Sequence, residues 1–278
     1  MTSEAPPHLL EHIEAIEPMI SAGRLGLIVD FDGTLSEFKD RPEDAEIFPG
    51  CVQPLRDLST RLALVAVMSG RGVEDIRRKT GIESLTYVGN HGVEYLRAGA
   101  TEVAEPARGH AETIKQVFEE LRLKADEPGL IWEYKGFSAT THFRMVQDEA
   151  VARSRLQKAL ESTPGIEGLE VFWGNKVLEI RAKTGINKGH ALRRLAAEAR
   201  LDAIIFLGDD TTDLDAVRAL SDMRREKAVD GMSVVVVQPG SPAHMLEECD
   251  YSLADVSEVA VFLGILDRET ASSEKAGR

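Results

Sequence analysis

Two aspartates one residue apart, Asp30 and Asp32, stand where the apolar run LGLIV ends in the turn sequence DFDGT. On a strictly extended backbone alternate residues point to the same side, so this pair could share one metal ion and one substrate, as nucleophile and as acid/base. Gly33 lets the backbone approach an anion closely, Thr34 adds a hydroxyl beside it, and the amides of a loop entering a helix can bind phosphate oxygens. The chemistry this suits is phosphoryl transfer, in which a protein chiefly positions groups and neutralises charge on the phosphoryl oxygens. A carboxylate does not approach a phosphate dianion unaided. A hard, oxygen-ligated Mg²⁺ bridging Asp30 and the phosphate would remove that repulsion, and a lysine ammonium would add more positive charge. Lys188, at the start of a helix in NKGHAL, is the candidate lysine; Ser69 can hydrogen-bond a phosphate oxygen; Asp209, with Asp210 and Asp213 in GDDTTD, can complete the magnesium site.

Each of these clusters follows a short apolar run. LGLIV ends at Asp30, ALVAVM (63–68) ends at Ser69-Gly70-Arg71, TYV (86–88) ends at Gly89-Asn90-His91-Gly92, and AIIFL (203–207) ends at Gly208-Asp209-Asp210. Continuous apolar runs of this length read as strands buried on both faces. Helical patterns lie between them at 52–61, 72–80 and 188–199, and SVVVV (233–237) adds another strand. The alternation predicts an α/β fold with a doubly wound parallel sheet, and such sheets place ligands at the C-terminal ends of their strands. The clusters should therefore converge.

The stretch from 99 to 184 breaks the rhythm, because its strands alternate apolar and polar residues. A helix at 111–124 leads to strands at 130–134 and 138–144, and a helix at 149–162 leads to strands at 169–173 and 176–181. This repeat predicts an inserted, mobile α+β cap with one exposed sheet face, whose closure would exclude water and set specificity. The expected division is a core over 1–98 and 185–278, with the cap over 99–184. The N-terminal twenty residues read as a short amphipathic helix after a frayed end, VSEVAVFLGIL as a closing helix, and ETASSEKAGR as a loose tail.

Composition excludes several classes. With 43% hydrophobic and 29% charged residues, and no apolar run near the roughly 18 residues of a membrane helix, the sequence reads as soluble and globular. The N-terminus lacks the basic and apolar regions of a secretory signal, which points to the cytoplasm. Two cysteines without a CxxC give no disulfide framework or structural zinc. A net charge of −14 disfavours nucleic acid and anionic lipid, so an enzyme for a phosphorylated substrate must concentrate positive charge locally.

Blander roles compete at single positions. Asp and Gly are common at strand-end turns, Ser69 suits a helix cap, and Lys188 alone reads as a solvated lysine. GDDTTDLD lacks the sixth-position glycine and twelfth-position glutamate of a calcium loop. His91 and His142 are given no catalytic role, and Trp132, Phe137, Phe172 and Trp173 read as packing.

Taken in order, DFDGT, the strand-terminal Ser69, Lys188 and GDDTTD resemble the four motifs of the haloacid dehalogenase-like superfamily over residues 25–265. The resemblance implies that Asp30 attacks phosphorus, that Asp32 protonates the leaving alkoxide and then deprotonates the attacking water, and that Asp32 also binds Mg²⁺ through its carbonyl. The triplet Ser69-Gly70-Arg71, GNHGVE with Asn90 and His91, WEYKGFSATTHFR with Glu133, Lys135, His142 and Arg144, and GNKVLEIRAKTGINKG with Lys176 and Glu179 resemble the trehalose-6-phosphate phosphatases. That family implies a small sugar phosphate as substrate, with Glu133, Lys135 and Glu179 holding hydroxyls and with Gly33, Thr34, Gly70, Arg71, Asn90, His91, Arg144 and Lys176 as further substrate-binding residues. Arg144, Lys176 and Arg181 read equally as solvated faces of cap strands. The sequence departs from the family's pattern at Thr211 in place of arginine, Leu214 in place of glutamate and Ala182 in place of proline. Sucrose phosphate and mannosylglycerate phosphate phosphatases share the cap type; a phospho-accepting receiver and a catalytically dead sensor are the competitors from other classes. A functional partnership with a sugar-phosphate synthase is left open.

Overall fold

The computed structural model describes residues 6–39, 41–174, 176–238 and 241–276, in two compact units, one formed by the chain up to 102 together with the chain from 186, the other by Val103–Gly185. The division lies beside the expected 99 and 184, and the strand Ala100–Val103 joins the sheet of the larger unit.

The larger unit is an α/β sheet. Its strands are β1 (Leu25–Asp30), β2 (Leu64–Met68), β3 (Thr86–Gly89), β4 (Glu94–Arg97), β5 (Ala100–Val103) and, after the second unit, β10 (Ala203–Gly208), β11 (Asp230–Val236) and β12 (Tyr251–Leu253). They lie in the order β12-β11-β10-β1-β2-β3-β4-β5; the pairs from β12 to β3 are parallel and β3–β4 is antiparallel. Strand β1 is buried throughout because both of its faces are covered. Leu25, Leu27 and Val29 pack with Leu55, Leu58, Phe262 and Leu263, from helices α2 (Pro49–Arg61) and α9 (Val256–Ala276). Ile28 faces the other way, among Leu192, Leu195 and Val217 from α6 (Lys188–Ala199) and α7 (Leu214–Arg225). That alternation along one strand is what a doubly wound sheet requires. Helices α3 (Val73–Thr80) and α8 (Ala243–Glu248) complete the layers.

Both chain ends differ from expectation. In place of a continuous N-terminal helix, 3₁₀ turns at Leu9–Glu11 and Ile13–Ile16 precede a short α1, Glu17–Ser21. Pro18 lacks an N–H and would crowd the carbonyl four residues back, so it is accommodated in the first turn of α1 and an α-helix does not continue into it from upstream. The expected frayed end falls on residues 1–5, outside the described residues. At the other end α9 carries the expected loose tail to Ala276, held where buried Thr270 donates to the Leu266 carbonyl (2.8 Å); residues 277–278 lie outside the described residues.

The smaller unit follows the expected repeat: α4 (Ala111–Ala125), β6 (Ile131–Tyr134), β7 (Ser138–His142), α5 (Glu149–Glu161), β8 (Leu169–Gly174) and β9 (Val177–Ala182). Its antiparallel sheet runs β6-β7-β9-β8. Leu178, Ile180 and Ala182 of β9 pack under α4 and α5 with Ile114, Leu121 and Leu156, which turns Val177, Glu179 and Arg181 to the opposite face.

Candidate active site

The topology places β1 between β10 and β2. Asp30 pairs in register with Met68, beside Ser69, and Val29 with Leu207, two residues before Asp209. Three sequence clusters thus meet at the C-terminal edge of the sheet.

Lys188 sits at their centre. Asn187 caps α6, its side-chain oxygen accepting from the His190 amide (3.0 Å), so that Lys188 opens the helix with its side chain directed inward and 3% exposed. The ammonium donates to Asp30 Oδ1 and to Asp213 Oδ1, both at 2.6 Å. Asp213 in turn accepts on Oδ2 from the amides of Asp209 and Asp210, each at 3.2 Å, which draws the GDDTTD loop around the lysine. Buried Thr34 donates its hydroxyl to Asp209 Oδ1 at 3.3 Å. Gly33, at φ +84°, lies where a Cβ would run into the Asp209 carboxylate, so this close approach requires glycine.

Asp30, Asp209 and Asp213 are all buried, and each offers a ligand oxygen within 4.8 Å of the others. Among the described residues one ammonium faces these three carboxyls, so their full ionisation calls for further positive charge, which a hard divalent cation fits. Burial raises the Asp30 carboxyl first, Asp213 adds to it and Lys188 opposes it, with the result pushed up to about 8. Asp209 is raised well above the ordinary carboxylate range, by burial and then by Asp30 and Asp213. For Lys188 burial works against the charge, but Asp213 and Asp30 overcome it and raise the ammonium above its ordinary value.

On the other side of β1 the Ser69-Gly70-Arg71 loop is clamped by the loop after β3. The Asn90 amide donates to the Arg71 carbonyl (2.8 Å) and the His91 amide to the Ser69 carbonyl (3.1 Å). Asn90, His91 and Gly92 all have positive φ, +48°, +56° and +110°, and the His91 ring fills the space above Gly70. Two successive non-glycine residues in that region mark a backbone held by its surroundings. Ser69 is 1% exposed, and its hydroxyl oxygen accepts from the Arg71 amide at 3.2 Å. The Arg71 guanidinium grips Asp32.

In the smaller unit, Glu133 pairs across strands with Thr140, and Thr140 with Glu179, so the two glutamates share one sheet face. Lys135 Nζ lies 3.5 Å and His142 Nε2 3.3 Å from Glu133 Oε2. Lys176 instead pairs with Glu149 at the start of α5, at 2.6 Å.

The family description Trehalose-phosphatase matches residues 28–250. The chain belongs to the trehalose-phosphatase family. It is 30% identical over 225 residues to the trehalose-phosphate phosphatase of Mycobacterium marinum, covering 77% of this chain and 57% of that protein. It is 32% identical over 231 residues to an uncharacterized glycosyl hydrolase of Mycobacterium tuberculosis, again over 77% of this chain but 17% of that protein. The chain thus spans little more than half, or less, of the curated relatives it matches. In fold it is similar to the trehalose-6-phosphate phosphatase C-terminal domain of Candida albicans, with a TM-score of 0.76, 23% identity, and 96% and 99% of the two chains covered.

Within this family member, some expected roles land differently. Gly33 spends its amide on the Ser36 carbonyl (2.7 Å), and the loop after β1 does not enter a helix: a 3₁₀ turn at Pro42–Asp44 intervenes before α2. Among the described residues, no helix therefore opens directly behind DFDGT. Asp210 is exposed and caps the turn Thr211–Asp213, its Oδ1 accepting from the Thr211 amide at 2.5 Å, so its carboxylate is not part of the buried acidic group. Asn90, expected to meet substrate, donates its side-chain amide to Glu94 at 2.6 Å. Arg144 lies beyond the end of β7. Two positions were missed by sequence reasoning. Gln238 donates from Nε2 to the Gly33 carbonyl at 2.7 Å, and Asp75 accepts from Arg71 Nη1 at 2.9 Å. Asp75, four residues beyond Arg71 on a helical pattern, carried a usable signal; Gln238 carried none.

Proposed function

We propose that the protein hydrolyses trehalose 6-phosphate to trehalose and phosphate, through a phosphoryl group carried on Asp30, with Mg²⁺ as cofactor. The observation that carries this reading is the buried Lys188 ammonium bridging Asp30 and Asp213 beside Asp209 at the end of the central strand, in a member of the trehalose-phosphatase family. Asp30, Asp209 and the Asp32 carbonyl would hold the cation, which when bound supplies the positive charge that lets an anionic carboxylate meet a phosphate dianion. The Asp30 carboxylate oxygen forms a bond to phosphorus as the bond to the sugar oxygen breaks, and Asp32 gives that oxygen its proton. Water then attacks the same phosphorus, Asp32 takes its proton back, and the bond to Asp30 breaks. Ser69 and Lys188 hold phosphoryl oxygens, while Glu133, Lys135 and Glu179 recognise the sugar through hydroxyls whose loss would leave partly buried groups unpaired. A sugar-phosphate synthase would supply the substrate.

A panel of sugar phosphates tests the assignment. With Mg²⁺, phosphate release should be fastest from trehalose 6-phosphate. The departures at Thr211, Leu214 and Ala182 favour, as second reading, a related phosphatase for sucrose phosphate or mannosylglycerate phosphate, and faster release from either would shift the substrate while leaving the chemistry intact.

The cation has its own signature in stability. The Asp30 carboxyl titrates near 3.8 in an ordinary setting and is pushed up to about 8 in the fold, chiefly by burial. Between those values the folded, cation-free chain binds more protons than the unfolded one. The stability from this group is complete below the lower value and lost as pH rises through the upper one. A cation takes the place of that proton, so the rise in Tm on adding Mg²⁺ should be larger near pH 8 than near pH 6. A shift independent of pH, or larger at the acid end, would remove Asp30 from the cation site.

A further inference from the structure

Arg71 is drawn up on two carboxylates. Its Nε donates to Asp32 Oδ2 at 2.7 Å and its Nη2 to Asp32 Oδ1 at 2.8 Å, a two-pronged, charge-assisted contact, while Nη1 donates to Asp75 Oδ2 at 2.9 Å. The guanidinium carbon stands 5.6 Å from the centre of the Phe31 ring. The backbone is fixed as well, with the Arg71 amide on Ser69 Oγ and its carbonyl on the Asn90 amide. The Arg71 side chain is 7% exposed and the Asp32 side chain 32%, so the guanidinium lies behind the carboxylate as seen from solvent. A planar fork on both oxygens sets the plane and the rotation of the carboxylate, which a single lysine contact does not.

We propose that Arg71, steadied by Asp75, is a positioning residue that holds the Asp32 carboxylate in the orientation for proton transfer, rather than a substrate-binding arginine. The proposal rests on the reading that Asp32 is the acid/base. Proton transfer depends steeply on the placement of the donor oxygen, so the loss should concentrate in reactions whose leaving group needs a proton.

The experiment compares kcat/KM for trehalose 6-phosphate, or for whichever alkyl sugar phosphate the wild type cleaves best, with that for p-nitrophenyl phosphate, whose leaving group departs without protonation. This parameter covers events only up to release of the first product. Asp32→Asn defines the signature, a large loss on the alkyl phosphate and a small one on the aryl phosphate. Arg71→Ala should reproduce that pattern, losing roughly 10²-fold on the alkyl substrate and several-fold at most on the aryl one. Asp75→Asn should show the same bias in weaker form. Arg71→Lys should recover only part of the loss, and adding Arg71→Ala to Asp32→Asn should cost nothing further on the alkyl substrate. Equal losses on both substrates, or a raised KM with kcat unchanged, would overturn the positioning role in favour of a structural or phosphate-binding one. Asp75→Asn and Arg71→Lys keep the test open if Arg71→Ala folds poorly. Failure of the underlying reading looks different: Asp32→Asn itself would then show no leaving-group bias, or the wild type would release no phosphate.

Discussion

Asp30→Asn will abolish phosphate release, by on the order of 10⁴-fold or more, while the protein stays folded. The loss follows from chemistry: an amide oxygen is too weak a nucleophile to take the phosphoryl group, and Asp30 is the one carboxylate among the described residues of β1. The retained fold follows from electrostatics. The substituted side chain keeps an oxygen to accept from Lys188, which keeps Asp213 at 2.6 Å as its ionic partner. The substitution also removes a charge that burial and the neighbouring Asp213 already disfavour. Tm without Mg²⁺ should therefore stay within a few degrees of wild type at about pH 8, since a change of about 1 kcal/mol moves a domain of this size by only a few degrees. The protective effect of Mg²⁺ should shrink. Turnover near the wild-type rate in a well-folded Asp30→Asn protein would sink the phosphoryl-carrier role, whatever substrate is used.

How far the sequence discloses this site depends on whether each feature is local. Lys188 is local: Asn187 is a good helix cap, the helical pattern of 188–199 matches α6 residue for residue, and the lysine's place at its first turn follows. The convergence of Asp30, Ser69 and Asp209 was legible because each ends a continuously apolar run, and parallel sheets bring such ends to one edge. Alternation along β9 likewise disclosed the face that packs on α4 and α5, whereas β7 is buried from Ser138 to Thr141 on both faces and does not show the expected exposed side. What did not show are contacts between side chains distant in sequence. Nothing near DFDGT says that Asp32 will be gripped by an arginine 39 residues on, or that Gln238 will reach the Gly33 carbonyl 205 residues back. The helix through 269–276 was lost to composition, since its serines and charges read as a tail when the burial of Thr270 is unseen. Asp210 misled for the opposite reason. Its neighbours in GDDTTD are metal-type ligands, but a residue at the start of a 3₁₀ turn finds a nearer partner in the turn's own amide.

Lys188→Met carries the other large effect, and it separates the electrostatic role of the lysine from its catalytic one. Methionine fits the volume but leaves Asp30 and Asp213 without the ammonium they share, in a place where the lysine side chain is 3% exposed. Removing one partner of a buried ionic group typically costs about 3–5 kcal/mol, because the charges left behind are neither solvated nor paired. The Asp30 carboxyl escapes part of that cost by taking up a proton. Lys188 is the group that lowers Asp30, so without it the Asp30 carboxyl rises above its present value of about 8. A carboxyl raised in the fold stabilises below its unfolded value and loses that contribution as pH rises through its folded one. The variant should thus melt close to wild type near pH 5 and well below it near pH 8, and Mg²⁺ should restore part of the difference. Phosphate release should fall by about 10²–10³-fold even where Tm is restored, since on the proposed reading a cation bound by the aspartates does not replace the ammonium that holds phosphoryl oxygens. Lys188→Arg should not rescue, because a planar guanidinium cannot take the two 2.6 Å contacts of a compact ammonium in the same slot. A Lys188→Met protein with wild-type Tm at both pH values would show that the acidic group does not depend on the lysine for its stability.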